Sequence, residues 1–188
     1  MHDEYMIDCG PIALRPFRPE DLDDFHAITH EPEIVRYLPG WNVPKERRAD
    51  WLLNYEIPEN ERFLQAVEEG GPIGELRLRL AIVLKTTGGF IGWACTGMKE
   101  ELPPPNREIV YGLTAAHRGK GYATMAANGL VRYLFERELA EELNALALNG
   151  NEPSRRVIEK CGFREQGGIV IDGETYLHYK RFRREGEA

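Results

Sequence analysis

Apolar positions recur with two periods along the chain, and the changes of period mark its elements. Ile12-Ala13-Leu14-Arg15-Pro16 alternates and predicts a first strand. Pro19, Glu20 and Asp21 then open a helix, acidic residues first as the helix dipole favours, and Leu22, Phe25 and Ile28 space its apolar face. A short helical run from Glu33 to Leu38 ends at Pro39-Gly40. Pro44 predicts the next helix start, with Trp51, Leu52 and Tyr55 on one face and Pro58 breaking it. Asn60 reads as the cap of another helix, with Phe63, Leu64 and Val67 inward and Gly70-Gly71 as its stop.

The middle of the chain changes to a period of two. Leu76 to Leu84 and Phe90 to Cys95 predict a hairpin around the turn Thr86 to Gly89. Leu102 to Asn106, with three consecutive prolines, reads as a stiff connector before a strand from Glu108 to Leu113. A glycine-rich turn and a long helix, Lys120 to Glu138, follow, with Met125, Leu130, Leu134 and Phe135 as the apolar stripe. Then come a strand from Leu143 to Leu148, a short helix from Pro153 to Cys161, and two strands about Asp172-Gly173, a strong hairpin signal. The charged tail from Arg181 to Ala188 is expected to fray. The order implies an α+β class: a mixed, mostly antiparallel sheet with helices on both faces. The strands ending at Leu113 and Leu148 flank a helix, so they can lie parallel through a right-handed crossover. At 188 residues, with no linker or repeat, a single domain over 1–188 is expected.

Composition narrows the chemistry. Lys plus Arg is 24 and Asp plus Glu is 31, a net charge of −7 that disfavours broad nucleic-acid binding and mildly favours a cationic partner such as an amine. No apolar run approaches a membrane span, and Met1 to Tyr5 lack the basic flank of a signal peptide, so a cytoplasmic protein with no membrane partner is expected. Cys9, Cys95 and Cys161 are widely spaced, which predicts reduced, packed thiols. His26, His30 and His178 show no metal spacing with one another or with the cysteines, so no metal is expected.

The most informative run is His117-Arg118-Gly119-Lys120-Gly121-Tyr122-Ala123-Thr124, between a strand end and a long helix. Two glycines and a small residue let backbone approach a ligand. Unpaired amides at a helix start suit a phosphate or diphosphate, and Arg118 and Lys120 add positive charge. The alternative is an ordinary glycine-rich turn with solvated basic residues. The P-loop pattern is not met, because Thr114 stands where its first glycine belongs. A dinucleotide fingerprint is not met either, because Gly119-x-Gly121-x-x ends at Thr124.

Arg118-Gly119-Lys120-Gly121-Tyr122-Ala123 resembles the R/Q-x-x-G-x-G/A signature of the GNAT superfamily of N-acetyltransferases. Asn151 to Phe163 is similar to that superfamily's N-x-x-S-x-x-x-x-E-K-x-G-F run. Leu14-Arg15-Pro16-Phe17-Arg18-Pro19-Glu20-Asp21 resembles the opening of the branch containing ribosomal-protein N-terminal acetyltransferases. The three blocks stand in the family's order. The resemblance implies a splayed sheet with acetyl-CoA, as co-substrate, between the strands Glu108 to Leu113 and Leu143 to Leu148. It implies diphosphate binding by the Arg118 to Thr124 turn and a pantetheine arm paired near Leu113 and Thr114. Asn151 would contact that arm, and Ser154 would donate to the departing thiolate. Capping of the following helix accounts equally for Asn151 and Ser154. Many members place an acid tyrosine near Ser154; here no tyrosine stands between Tyr133 and Tyr176.

Glu108 is the candidate base: a protonated amine is no nucleophile, and the branch commonly gives this role to a glutamate in this strand position. Its alternative is a solvated edge carboxylate. Tyr111 is expected to pack in the core, and Arg155, Arg156 and Lys160 to form a solvated face or meet the adenosine 3′-phosphate. The acceptor would be a small-molecule amine or a protein N-terminus. Its pocket is expected among the N-terminal helices, the Thr86 to Gly89 turn and the last hairpin, with Trp41, Trp93 and Tyr176 as packing or lid residues. A non-catalytic acyl-CoA-binding sensor or scaffold is the alternative function, followed by a nucleotide-phosphate enzyme. The choice between monomer and homodimer stays open.

Overall fold

The structure, a computed structural model, describes residues 6–183. The start read for a signal peptide, and the tail beyond Arg183, lie outside the described residues. Eight strands form one sheet in the order β1-β2-β3-β4-β5-β6-β8-β7. They are β1 (Ile7–Cys9), β2 (Ile12–Pro16), β3 (Leu78–Leu84), β4 (Phe90–Met98), β5 (Arg107–Leu113), β6 (Glu142–Leu148), β7 (Arg164–Ile171) and β8 (Glu174–Phe182). All neighbours pair antiparallel except β5 and β6. The helices are α1 (Leu22–Thr29), α2 (Pro32–Tyr37), α3 (Lys45–Trp51), α4 (Ile57–Glu68), α5 (Tyr122–Glu136) and α6 (Glu152–Lys160).

Strand alternation sorts the core into two layers. Ile12, Leu14, Leu80, Ile82 and Ile91 face α5 and α6, whose Leu130, Leu134 and Ile158 are buried against them. Ala13, Ala81, Val83, Trp93 and Cys95 face the other way, onto Phe25 of α1, Ile34 of α2 and Leu52. The sheet is thus covered on both faces, in the α+β arrangement the periodicity implies.

Asp21 has a different task from the dipole role expected of it. It is buried and takes a bidentate pair from Arg15, at 2.6 and 2.8 Å, plus the Arg18 N–H at 2.8 Å. This lock ties β2 to the entry of α1, which is why the Leu14 to Asp21 run carries both residues.

Pro58 does not break the helix. A π-helical stretch, Leu52–Glu56, joins α3 to α4, and Pro58 sits at the second position of α4. The wider i→i+5 pairing loosens the turn before the proline, where its missing N–H and bulky ring are tolerated. Asn60 is therefore no cap. It lies inside α4, buried, and its amide donates to the Arg79 carbonyl (2.8 Å) and accepts the Arg79 N–H (2.7 Å). The β2–β3 ladder ends at Pro16↔Leu80, so Asn60 supplies the partner that a longer β2 would have given Arg79. Asn60→Ala leaves two main-chain groups unpaired, at roughly 1–3 kcal/mol each. The expected loss is roughly 2–6 kcal/mol in urea unfolding; an unchanged midpoint would show that the contact is dispensable.

The shifts elsewhere are small. β1, three residues long, has no pattern of its own in the sequence. β3 begins at Leu78 rather than Leu76, and the long helix spans Tyr122–Glu136. The last hairpin turns at Asp172 (φ 50°) and Gly173 (φ 82°), two left-handed residues in a row, as an Asp-Gly turn requires.

Candidate active site

β5 and β6 run parallel on either side of α5 and register at one position, Glu108↔Asn144. β4 and β5, by contrast, pair along their full length from Gly92↔Leu113 to Met98↔Arg107. Beyond Glu108 the two parallel strands diverge, and main-chain groups of β5 are left open toward β6. Asn144 closes the narrow end: its amide donates to the carbonyls of Pro105 and Arg107, and its oxygen pairs with His178 Nε2 at 2.8 Å.

A cavity of about 1140 Å³ occupies the divergence and runs on beneath α2 and α3. At its wide end lies the glycine-rich turn. Gly119 (φ 73°) and Gly121 (φ 81°) are both left-handed, and Gly121 is the N-cap of α5. The N–H groups of Gly119, Lys120, Gly121, Tyr122 and Ala123 meet no acceptor among the described residues. Alternating hand turns successive amides toward one point, which makes a concave anion site that the helix dipole reinforces.

At the other end of β5, Glu108 lines the same cavity. It stands opposite Gly97, on the face that looks toward α1 and α3. Burial pushes its carboxyl up to about 7, against the pull of Lys99 and Arg77 and with a small further push from Glu101. It is therefore not a freely solvated edge carboxylate. Cys95, one dyad further along the floor, is buried, and desolvation pushes its thiol up to about 12, which leaves it unreactive near neutral pH.

Across the gap, the Tyr111 hydroxyl donates to the Ser154 carbonyl (3.1 Å) and lies 3.0 Å from Ser154 Oγ. Burial raises the phenol above its ordinary value, so it stays protonated. Tyr111 packs half-buried against the core, as expected, and also lines the cavity.

A sequence profile of the acetyltransferase (GNAT) domain matches residues 12–164. The chain belongs to the GNAT acetyltransferase family. It is 35% identical over 86 residues to the putative ribosomal N-acetyltransferase YdaF of Bacillus subtilis. That alignment spans 43% of this chain and 47% of YdaF, about half the length of each. Its fold is similar to that of a GNAT-family acetyltransferase from Bacillus anthracis, with a TM-score of 0.75 at 20% identity over 95% of this chain and 99% of that one. The aminoglycoside acetyltransferase AAC(6′)-Ib, in complex with coenzyme A and kanamycin, matches with a TM-score of 0.71 at 21% identity over 92% and 95% of the two chains.

In this GNAT chain the residues singled out from the sequence gather around one cavity. Glu108, Leu113, Arg118, Gly119, Gly121, Tyr122, Ala123, Thr124, Asn151 and Ser154 all line it. Thr114 and Lys120 stand just outside. The Thr114 N–H pairs with the Ile91 carbonyl, its hydroxyl with Glu31 Oε1 at 2.5 Å, and Lys120 Nζ with the Ala116 carbonyl at 3.1 Å. Arg118 fastens the turn to α2: it bonds the Leu113 carbonyl and forms ion pairs with Glu31 and Glu33. Asn151 caps α6 through the Ser154 N–H at 3.3 Å, so the cap uses Ser154's backbone and leaves its hydroxyl to Tyr111. Arg155 turns away to the Tyr179 hydroxyl, while Arg156 and Lys160 line the cavity. Trp41 and Tyr176 line it too, but Trp93 is fully buried against Trp41 and Phe25. The Thr86 to Gly89 turn does not line it: Lys85 next to it pairs with Asp8 of β1, toward the far side of the sheet. Among the described residues no group of His, Cys, Asp and Glu could hold a metal ion, and no helix is long and apolar enough to cross a membrane.

Sequence reasoning did not find Arg48 and Glu56. Both are polar residues in a helical run where solvated positions are the rule, and only the fold shows them buried beside the cavity.

Proposed function

We propose that this GNAT protein transfers the acetyl group of acetyl-CoA to a primary amine, by direct attack with both substrates in the cavity. The observation that carries the reading is the construction of β5: one strand has a carboxyl group held near 7 at one end and leads, at the other, into a turn of unpaired amides. The turn fits the diphosphate of acetyl-CoA, and the open edge of β5 fits an amide-bearing arm, which would bring a thioester into the middle of the gap. Acetyl-CoA supplies the activated acyl group; this chain supplies the proton acceptor and a donor for the sulfur.

Glu108 takes the proton that the ammonium must lose, directly or through a water; the freed nitrogen forms the new C–N bond as the C–S bond breaks, and the second proton, which the acylated nitrogen sheds, passes to solvent, from which the released thiolate is protonated. Matching of proton affinities decides which amine suits it. An α-amino group, near ~8, lies about one unit above Glu108, whereas a lysine-type amine, near ~10.4, lies more than three above. An α-amine is thus the better partner. Its rate at pH 7 is expected to exceed that of an alkylamine of equal size by at least about tenfold, measured as kcat/KM; equal values would remove proton matching as the basis of selection.

At the sulfur, Ser154 Oγ is the donor and Tyr111 orients it. Full proton transfer from Tyr111 to a thiolate, near ~8.5, runs uphill from a phenol raised above ~10, so the leaving group departs as a hydrogen-bonded thiolate. Ser154→Ala removes one hydrogen bond but not the α6 cap, which uses the main chain. The expected effect is a loss of roughly 2–10-fold in kcat with acetyl-CoA affinity and Tm unchanged. An unchanged kcat would leave the hydroxyl without a role. Both a small amine and a protein N-terminus remain consistent with the family: AAC(6′)-Ib holds kanamycin, and YdaF carries a ribosomal name.

A further inference from the structure

Beyond Glu108 the cavity continues into a chamber whose polar wall the acetyl-transfer chemistry does not use. Glu56, in the π-helical stretch between α3 and α4, is 5% exposed and lines this chamber. Its Oε1 lies 3.3 Å from Arg48 Nη1 and 3.6 Å from Arg79 Nε. Its Oε2 has no hydrogen-bond partner among the described residues. A buried carboxylate oxygen left without a donor is costly to a fold, so its persistence at a cavity wall points to a ligand that supplies one. The π-helical turn that places Glu56 here is a local departure of the kind found at functional sites. Arg48 cannot move to fill the need: its guanidinium is packed 4.5 Å from the Phe25 ring centre and 5.3 Å from that of Trp51, and it donates to the Trp41 carbonyl at 2.8 Å.

The two guanidinium groups also fix what Glu56 can accept. Arg79 also pairs with Glu59, at 2.7 Å, so two carboxylates balance the two guanidinium groups; a further full cation would leave an uncompensated charge in this buried wall, whereas a neutral donor would not. The sheet supplies the ruler. Glu108 is opposite Gly97 on β4, and the Arg77 stem lies over Gly97 from the β3 side. Arg79, on the same face of β3 as Arg77, leads to Glu56. Two strand spacings therefore separate the main chains of Glu108 and of Arg79, the side chain that reaches Glu56.

We propose that Glu56 sets acceptor specificity by taking a hydrogen bond from a neutral donor, a hydroxyl or an amide N–H, that the acceptor carries roughly 10 Å from its reacting amine. This rests on the acetyl-transfer reading and names what that reading leaves open. An amino sugar or an extended peptide N-terminus presents such a donor; an alkyl polyamine presents a second ammonium instead.

The test compares three straight-chain amines of equal length, five to seven carbons, ending in a hydroxyl, a methyl or a second amine. Wild-type protein is expected to favour the amino alcohol in kcat/KM by about tenfold or more over the other two, the effect falling on acceptor KM. A peptide amide with serine third, set against its alanine counterpart, tells a peptide source from a small-molecule one; a serine preference assigns the donor to the peptide, and its absence beside an amino-alcohol preference assigns it to a small molecule. Glu56→Gln is expected to erase the preference while KM for acetyl-CoA and kcat on the methyl-ended amine hold. Equal use of all three amines by wild type overturns the proposal and leaves acetyl transfer standing, and needs no variant to fold. Preference for the diamine also overturns it. Absence of transfer to any amine overturns both.

Discussion

Glu108→Gln is expected to lower kcat by roughly 10²–10⁴-fold, the range for losing one acid–base partner, with acetyl-CoA binding intact. The amide keeps the size of the side chain and its place opposite Gly97 but cannot take a proton. In the wild type, kcat on an α-amine should rise through an ionisation near 7, where the buried carboxyl loses its proton. The variant should lack that step, and its deficit should shrink at high pH, where solvent deprotonates the acceptor. The same residue has a stability consequence whose sign is opposite to the usual carboxylate case. Its folded value, about 7, lies above the ordinary 4.5. Between those two pH values the folded state holds more protons than the unfolded state, so stability falls as pH rises through the window. Glu108→Gln should accordingly raise Tm at pH 8 and leave it nearly unchanged below pH 4.5. Profiles of variant and wild type that coincide in height and shape would remove Glu108 from the reaction.

Gly121→Glu should abolish useful cofactor binding. Gly121 sits at φ 81°, and its N–H is one of the amides that converge on the anion site. A carboxylate there faces a bound diphosphate at roughly 4 Å, a repulsion of about 4 kcal/mol at an effective dielectric of 20, or roughly 100–1000-fold in Kd. Left-handed backbone adds a strain of about 1–2 kcal/mol for any side chain, so Gly121→Ala is the control. A Cβ at this position meets only Met125 Cε, at 3.7 Å, and no backbone. Calorimetry should show modest weakening for the alanine variant and near-complete loss for the glutamate variant, at equal helical content. Equal affinity of wild type and Gly121→Glu would separate the turn from cofactor binding.

What could be read in the sequence and what could not divide along the range of the interactions involved. The alternation of Leu78 to Leu84, the Asp172-Gly173 turn and the Gly119/Gly121 pair are local signals, set by steric rules within a few residues, and they place β3, the last hairpin and the turn before α5. Pro58 misled because its local rule was met by another device: the π-helical stretch relaxes the backbone before it. Asn60 misled for the same reason, since a capping residue type serves as a surrogate strand for Arg79, 19 positions away. The glutamate, glycines, Asn151 and Ser154 named from the sequence converge on the cavity because β5, α5 and β6 form one crossover unit. The contact of Tyr111 with Ser154 spans 43 positions and follows from the divergence of β5 and β6, which no periodicity encodes. Glu56 and Arg48 carry the same limit: charge patterning marks them as solvated, and only tertiary packing reverses that.

The most direct measurement follows free thiol and acetylated amine together when the protein is mixed with acetyl-CoA and an α-amine peptide. The account requires the two to appear in equal amounts, at a rate that rises through an ionisation near 7. Acetyl-CoA that binds tightly yet releases no thiol with any amine would contradict it, and would make the cavity a sensor's binding site rather than an enzyme's.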